Sequence, residues 1–158
     1  MSNVGNADNP ERTTATGLAR FAQDFLEASR SAADGMGRGN KHFSVTPVPV
    51  IYLVGHSIEL SLKSFLLNLG VSLRDLRLEY KHDLGKLLVA ARELGLEQHV
   101  QFEEVELGAF EVLNDLYSTK QLEYIVTGYR VFPQLDPIEA FAKKLCEAIS
   151  PLVGLTRS

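Results

Sequence analysis

The segment Pro47–Leu69, PVPVIYLVGHSIELSLKSFLLNL, is the one long and mostly apolar stretch of the chain. Three of its few polar residues, His56, Glu59 and Lys63, are spaced so that all lie on one face of a helix. A helix that is apolar on nearly every side has to be buried. The segment is therefore predicted to be the central helix of a small bundle, with the remaining elements packed around it. Thr46 followed by Pro47 predicts an N-cap with proline in the first turn, and Gly70 predicts a left-handed residue just past the end.

The flanking sequence supplies the helices that would cover it. Leu18, Phe21, Ala22, Phe25, Leu26 and Ala33 recur at the helical period and predict an amphipathic helix from Thr13 or Thr14 to Ala33. Asp34–Phe43 carries three glycines and no period, and is predicted to be a loop; it lacks the GxxxxGK[ST] pattern of a phosphate loop. Residues 71–81 predict one irregular helical turn and a connection. Asp83 or His82 then opens a helix that closes at Gly95. A short turn near Glu97 precedes a helix over Gln101–Tyr117, whose apolar stripe is Phe102, Val105, Leu107, Phe110, Val112, Leu113 and Leu116. Residues 119–135 predict a helical turn and then extended chain. Asp136-Pro137 opens the last helix, which Pro151 kinks or ends. With no strand or hairpin pattern, the expected class is all-α: an antiparallel up-and-down bundle of about five helices in one domain, 13–158, behind a disordered polar tail, 1–12.

A net charge of −4 argues against a protein that coats nucleic acid by overall charge, although a local basic patch is compatible with it. The single cysteine, Cys146, lies in an apolar helical context, so no internal disulfide forms and a cytoplasmic location is expected. Residues 1–17 have neither the basic nor the apolar region of a secretory signal. The uninterrupted apolar runs are shorter than the ~20 residues that span a bilayer, so no membrane partner is expected.

Two clusters carry the candidate chemistry. In the central helix, Glu59 and Lys63 have the favourable i, i+4 order, and His56 stands three residues before the glutamate. One reading is a solvated or interfacial stripe; the other is a polar cluster facing a cleft or a partner, because polar residues on an apolar helix need partners. The second cluster is Arg77-Leu-Glu-Tyr-Lys81-His82-Asp83, with Asp83 capping the next helix. A capping turn alone accounts for it, but if that helix start converges with Lys63, Arg77 and Lys81, an anion or phosphate binds there. Gly55-His56-Ser57-Ile58-Glu59 lacks the second glycine and the preceding strand of a nucleophile elbow. His56-x-x-Glu59 occurs once and in the reverse order of a di-metal bundle, so no metal or cofactor is expected.

GHSIELSLKSFLLNLG, KHDLGKLL and NDLYSTKQLEYIVTGYRVFP together resemble the HEPN family of helical domains over residues 50–150, about two-thirds of the chain. The resemblance implies a helical bundle that dimerises, with RNA or a nucleotide as ligand and an antitoxin or nucleotidyltransferase as possible partner. Many members are metal-independent endoribonucleases whose signature is an arginine followed after four to six residues by a histidine, late in the fold. Here Arg77-x4-His82 and Arg92-x6-His99 have that spacing, while no histidine follows Arg130. Three alternatives stand. The first is a homodimeric binding module with a polar cleft of His56, Glu59, Lys63, His82 and Asp83 and anion contacts from Arg77 and Arg130. The second is an endoribonuclease using Arg77 and His82, and the third a purely structural partner subunit.

Overall fold

The computed structural model describes residues 12–37, 46–123 and 131–156. The described residues are helical, with no strand among them. Six α-helices follow in order: α1 (Ala15–Gly35), α2 (Val48–Asn68), the three-residue α3 (Leu73–Asp75), α4 (Leu84–Glu93), α5 (Glu104–Ser118) and α6 (Leu135–Leu152). α3 runs on into a π-helical turn, Leu76–Tyr80, and a 3₁₀ turn, Leu96–Gln98, joins α4 to α5. The predicted tail, part of the glycine-rich loop and Arg130 lie outside the described residues.

α2 is the central element, as its composition predicts. Val50, Ile51, Val54, Ile58, Leu62, Phe65 and Leu66 are buried on it, and it packs against α1, α4, α5 and α6. It is also long and apolar enough to cross a bilayer by length and composition alone, but two-thirds of that stretch is buried inside the protein.

The side of α2 facing α1 is small. Ser57 Oγ donates to Ala22 O and Ser64 Oγ to Ala15 O, each at 2.6 Å, and α1 meets them with Ala19, Ala22, Ser29 and Ala33. Hydroxyls that reach across to the neighbouring helix's carbonyls leave no buried polar atom unpaired there and let the backbones approach closely. Of the stripe expected for α1, Ala22, Leu26 and Ala33 are buried and Leu18 and Phe25 half-buried, and the one correction is Phe21, which is 57% exposed.

The helix ends follow the predicted signals with three corrections. Gly70 (φ +98°) and Gly95 (φ +92°) are left-handed, and Val71 N closes back on Leu66 O at 3.0 Å. Asp83 caps α4, its carboxylate accepting from Lys86 N at 3.1 Å. The N-cap of α2, however, is Pro47, not Thr46. The Thr46 hydroxyl bonds Pro133 O instead, and Pro49 is the first-turn proline. α6 begins at Leu135 behind Gln134, one residue ahead of the predicted Asp136-Pro137 start, and Pro151 sits within its last turn. α5 starts at Glu104 rather than Gln101, where Glu103 and Glu106 form a reciprocal capping box, and Val105 is exposed.

Candidate functional site

Glu59 is 1% exposed in the middle of α2, and a carboxylate there requires partners on both oxygens. It has them from three elements. Lys63 Nζ donates to Oε1 at 2.7 Å and His82 Nδ1 to the same oxygen at 2.8 Å, while Tyr117 Oη, from α5, donates to Oε2 at 2.5 Å. His56 Nδ1 lies 3.1 Å from Tyr117 Oη and 3.5 Å from Glu59 Oε2. Burial on its own raises the carboxyl, but the His56 contact, the Lys63 charge and bond, and the Tyr117 bond outweigh it and lower it to about 2. Glu59 is therefore ionised at neutral pH.

An ionised carboxylate only accepts hydrogen bonds, and this settles the protons around it. His82 presents Nδ1–H to Glu59. Tyr117 gives its one proton to Glu59, so its oxygen accepts from His56 Nδ1–H. Burial first and the Glu59 charge second push the Tyr117 hydroxyl far above the usual phenol range. With Nδ1 engaged, the second ring nitrogen of His82, Nε2, has no partner among the described residues, and the side chain is half exposed.

Tyr117 reaches Glu59 because residue 55 is glycine. A Cβ at Gly55 would stand 2.7 Å from Tyr117 Cδ2 and 2.9 Å from Cε2, so the ring lies directly on the α2 backbone. Phe25 packs edge-on against the His56 ring at 4.4 Å, and Tyr52 stacks beside it at 6.3 Å. His56 is held on the outer side of this network and is a second partner of Tyr117, away from the His82 turn.

His82 and Lys63 form part of the wall of an open groove of about 1200 Å³. Six lysine and arginine side chains line it: Lys63 from α2, Arg74 from α3, Arg77 from the π-helical turn, Lys81, Lys86 from α4, and Lys120 just past α5. Only two carboxylates line it with them, Glu79 and Asp83, and Asp83 is engaged in capping α4. Among the described residues no carboxylate lies within ion-pair distance of Arg74, Arg77, Lys81, Lys86 or Lys120, whereas Arg92, Lys143 and Lys144 elsewhere are paired. Lys81 (φ +48°) and Lys120 (φ +59°) are the two non-glycine residues with positive φ among those described.

The structure thus brings Glu59, Lys63, His82, Asp83 and Arg77 of the sequence-predicted residues to one place, places His56 behind it, and leaves Arg130 outside the described residues. The alternative pair is engaged elsewhere: Arg92 bonds Glu97 at 3.0 Å and His99 packs on Phe65, and neither lines the groove. No group of three or more metal-ligating side chains occurs among the described residues. Sequence reasoning missed Tyr117, Arg74, Lys86 and Lys120. For Tyr117 a signal existed, since a glycine inside an apolar helix marks a close approach. Comparison of the chain with family models, with curated proteins and with solved structures finds no match.

Proposed function

We propose that the protein is a binding module whose basic groove takes a phosphate-bearing ligand, RNA or a nucleotide, on a HEPN-like helical bundle. The observation that carries the reading is the set of six lysines and arginines lining one groove of a chain whose net charge is −4. Like charges gathered in excess of their counter-charges repel one another in the free protein, and an anion relieves that repulsion on binding. The test is fluorescence anisotropy with a labelled oligoribonucleotide. Arg77→Gln combined with Lys86→Gln is expected to weaken binding about tenfold or more, as expected for the loss of two phosphate contacts. Unchanged affinity in the double variant removes the groove as the site.

One observation favours a second reading, endoribonuclease: His82 lines the groove with its Nδ1 held by the Glu59 carboxylate, so that the neutral ring carries its free acceptor on Nε2. A base oriented by a buried carboxylate is an arrangement that suits proton transfer. In this reading His82 Nε2 takes the proton of a ribose 2′-hydroxyl, the 2′-oxygen bonds to phosphorus to give a 2′,3′-cyclic phosphate, and the P–O5′ bond breaks with the 5′-oxygen taking a proton from water. Arg77 faces the charge that builds on the phosphate. Incubation of structured RNA with the purified protein in EDTA checks it. Cleavage that His82→Ala abolishes supports the reading, and intact RNA with wild type rejects it.

Homodimerisation and a cytoplasmic location belong to the same proposal. Phe21, exposed on α1 beside half-buried Leu18 and Phe25, supports an apolar contact between copies. Sedimentation at twice the 17.5 kDa monomer mass is the expected result. The HEPN resemblance supports an antitoxin or nucleotidyltransferase as a further partner, which purification from the native host tests.

A further inference from the structure

The groove's cations are arranged for a chain of phosphates and not for a single one. A site for one phosphate draws its donors to a point, and a nucleotide site adds an apolar or aromatic enclosure of roughly 300–1,000 Å³ for the base. This groove has about 1200 Å³ and is open. Its cations come from α2, the α3 segment, the turn before α4, α4 itself and the end of α5, so they are distributed along its walls. Tyr80 is the one aromatic residue, apart from the His82 ring, among its lining residues. The other apolar lining is aliphatic, Leu18, Leu73, Leu76 and Leu78, so the lining has two rings against six cations and no aromatic enclosure for a base.

Five of the six cations have no carboxylate partner among the described residues, so they are available to phosphates without first breaking an ion pair. Lys63 is the exception. It is held by Glu59 and sets the floor of the groove rather than competing for ligand. The helix start at Asp83, which would otherwise gather one phosphate, is closed by its own cap.

We infer that the groove binds a linear chain of several phosphates, reading its charge and not the base. The shared chemistry is the repeating phosphate of a single-stranded nucleic-acid backbone or of inorganic polyphosphate. This inference rests on the phosphate-binding reading above and narrows its ligand.

The experiment is anisotropy with labelled oligo(U), using oligo(A), inorganic polyphosphate and ATP as competitors, over a series of salt concentrations. With four to five cations engaged, log K is expected to fall against log salt with a slope of about −3, or nearly a hundredfold between 50 and 200 mM. Arg74→Gln and Lys120→Gln should each make that slope shallower by about 0.7, which loss of fold alone does not do. Oligo(A) should compete within a few-fold of oligo(U), and ATP should be at least about tenfold weaker.

Polyphosphate competing as well as oligo(U) identifies the bare phosphate chain as sufficient. Competition by oligonucleotides alone assigns the groove to a nucleic-acid backbone, and both results support the inference. ATP as strong as the oligomers, or a large preference between oligo(U) and oligo(A), overturns it while leaving phosphate binding standing. Binding of no probe overturns both.

Discussion

The Tyr117 ring occupies the space that a side chain at position 55 would fill, with Cδ2 2.7 Å from where a Cβ on Gly55 would be. Two opposed effects therefore meet in Gly55→Ala. In a helix interior alanine is favoured over glycine by about 1 kcal/mol, whereas forcing a methyl into a filled space costs about 1–3 kcal/mol. The substitution also displaces the hydroxyl that bonds Glu59. We expect a net destabilisation of about 1–2 kcal/mol in urea unfolding. A stabilised variant would mean that Tyr117 does not lie on α2.

Acid titration reads the Glu59 network directly. The folded carboxyl is lowered from 4.5 to about 2. The unfolded state therefore binds the proton first, and the stabilisation is complete above pH 4.5. It declines as pH falls toward 2 and is gone below that, a contribution on the order of 3 kcal/mol. Unfolding free energies measured at several pH values between 6 and 2 should show this slope in the wild type. Glu59→Gln should be less stable at pH 7 and should lack that component.

Lys120 sits just past the cap of α5 with φ +59°, where glycine is the preferred residue. Lys81 has φ +48° and ψ −113°, a conformation that L side chains rarely adopt. Replacement of either by glycine is expected to raise thermal stability, by about 1 kcal/mol after allowing for glycine's freedom in the unfolded chain. The same replacements remove groove cations, so ligand affinity should fall as stability rises. Thermal melts and anisotropy on one protein sample measure both.

Glu106 serves two elements, since its carboxylate accepts from Glu103 N at 3.1 Å and from Lys144 of α6 at 2.8 Å while 5% exposed. Glu106→Ala removes half of a capping box and strands a partly buried ammonium, so a loss of about 1–3 kcal/mol is expected. Glu147→Ala breaks only the exposed 3.9 Å pair with Lys143 and should change stability by less than about 0.5 kcal/mol. Parallel denaturation curves compare the two.

Much of the helical layout was legible because it depends on local signals. Gly70, Gly95 and Asp83 end or open helices through their own backbone or side chain, and α2 is buried because it is apolar all round. In α1 the period placed Ala22, Leu26 and Ala33 correctly in the core and misplaced Phe21, because periodicity gives every bulky apolar residue equal weight, whereas the α1–α2 contact puts small residues, Ala22 against Ser57, at its centre. The helical spacing of Glu59 and Lys63 foretold their contact. The approach of His82 from 23 residues on and of Tyr117 from 58 residues on depends on tertiary packing. Lys86 and Lys120 join Arg77 in one groove only once α4 and α5 are docked, and no spacing in the chain encodes that.

The cover over α2 has a consequence for how the protein is made. α2 is complete well before one of the helices that shields it, α6, has been made. Until residues 135–152 have left the ribosome, the side of α2 around Ser57 and Ser61, which Cys146 meets in the folded protein, lacks its lid, and a nascent chain in that condition exposes a surface that chaperones recognise and aggregates grow from. A chain stopped after Ser118 should accumulate as insoluble material or in chaperone complexes. Termination anywhere before α6 would then remove the folded protein as completely as loss of the central helix itself.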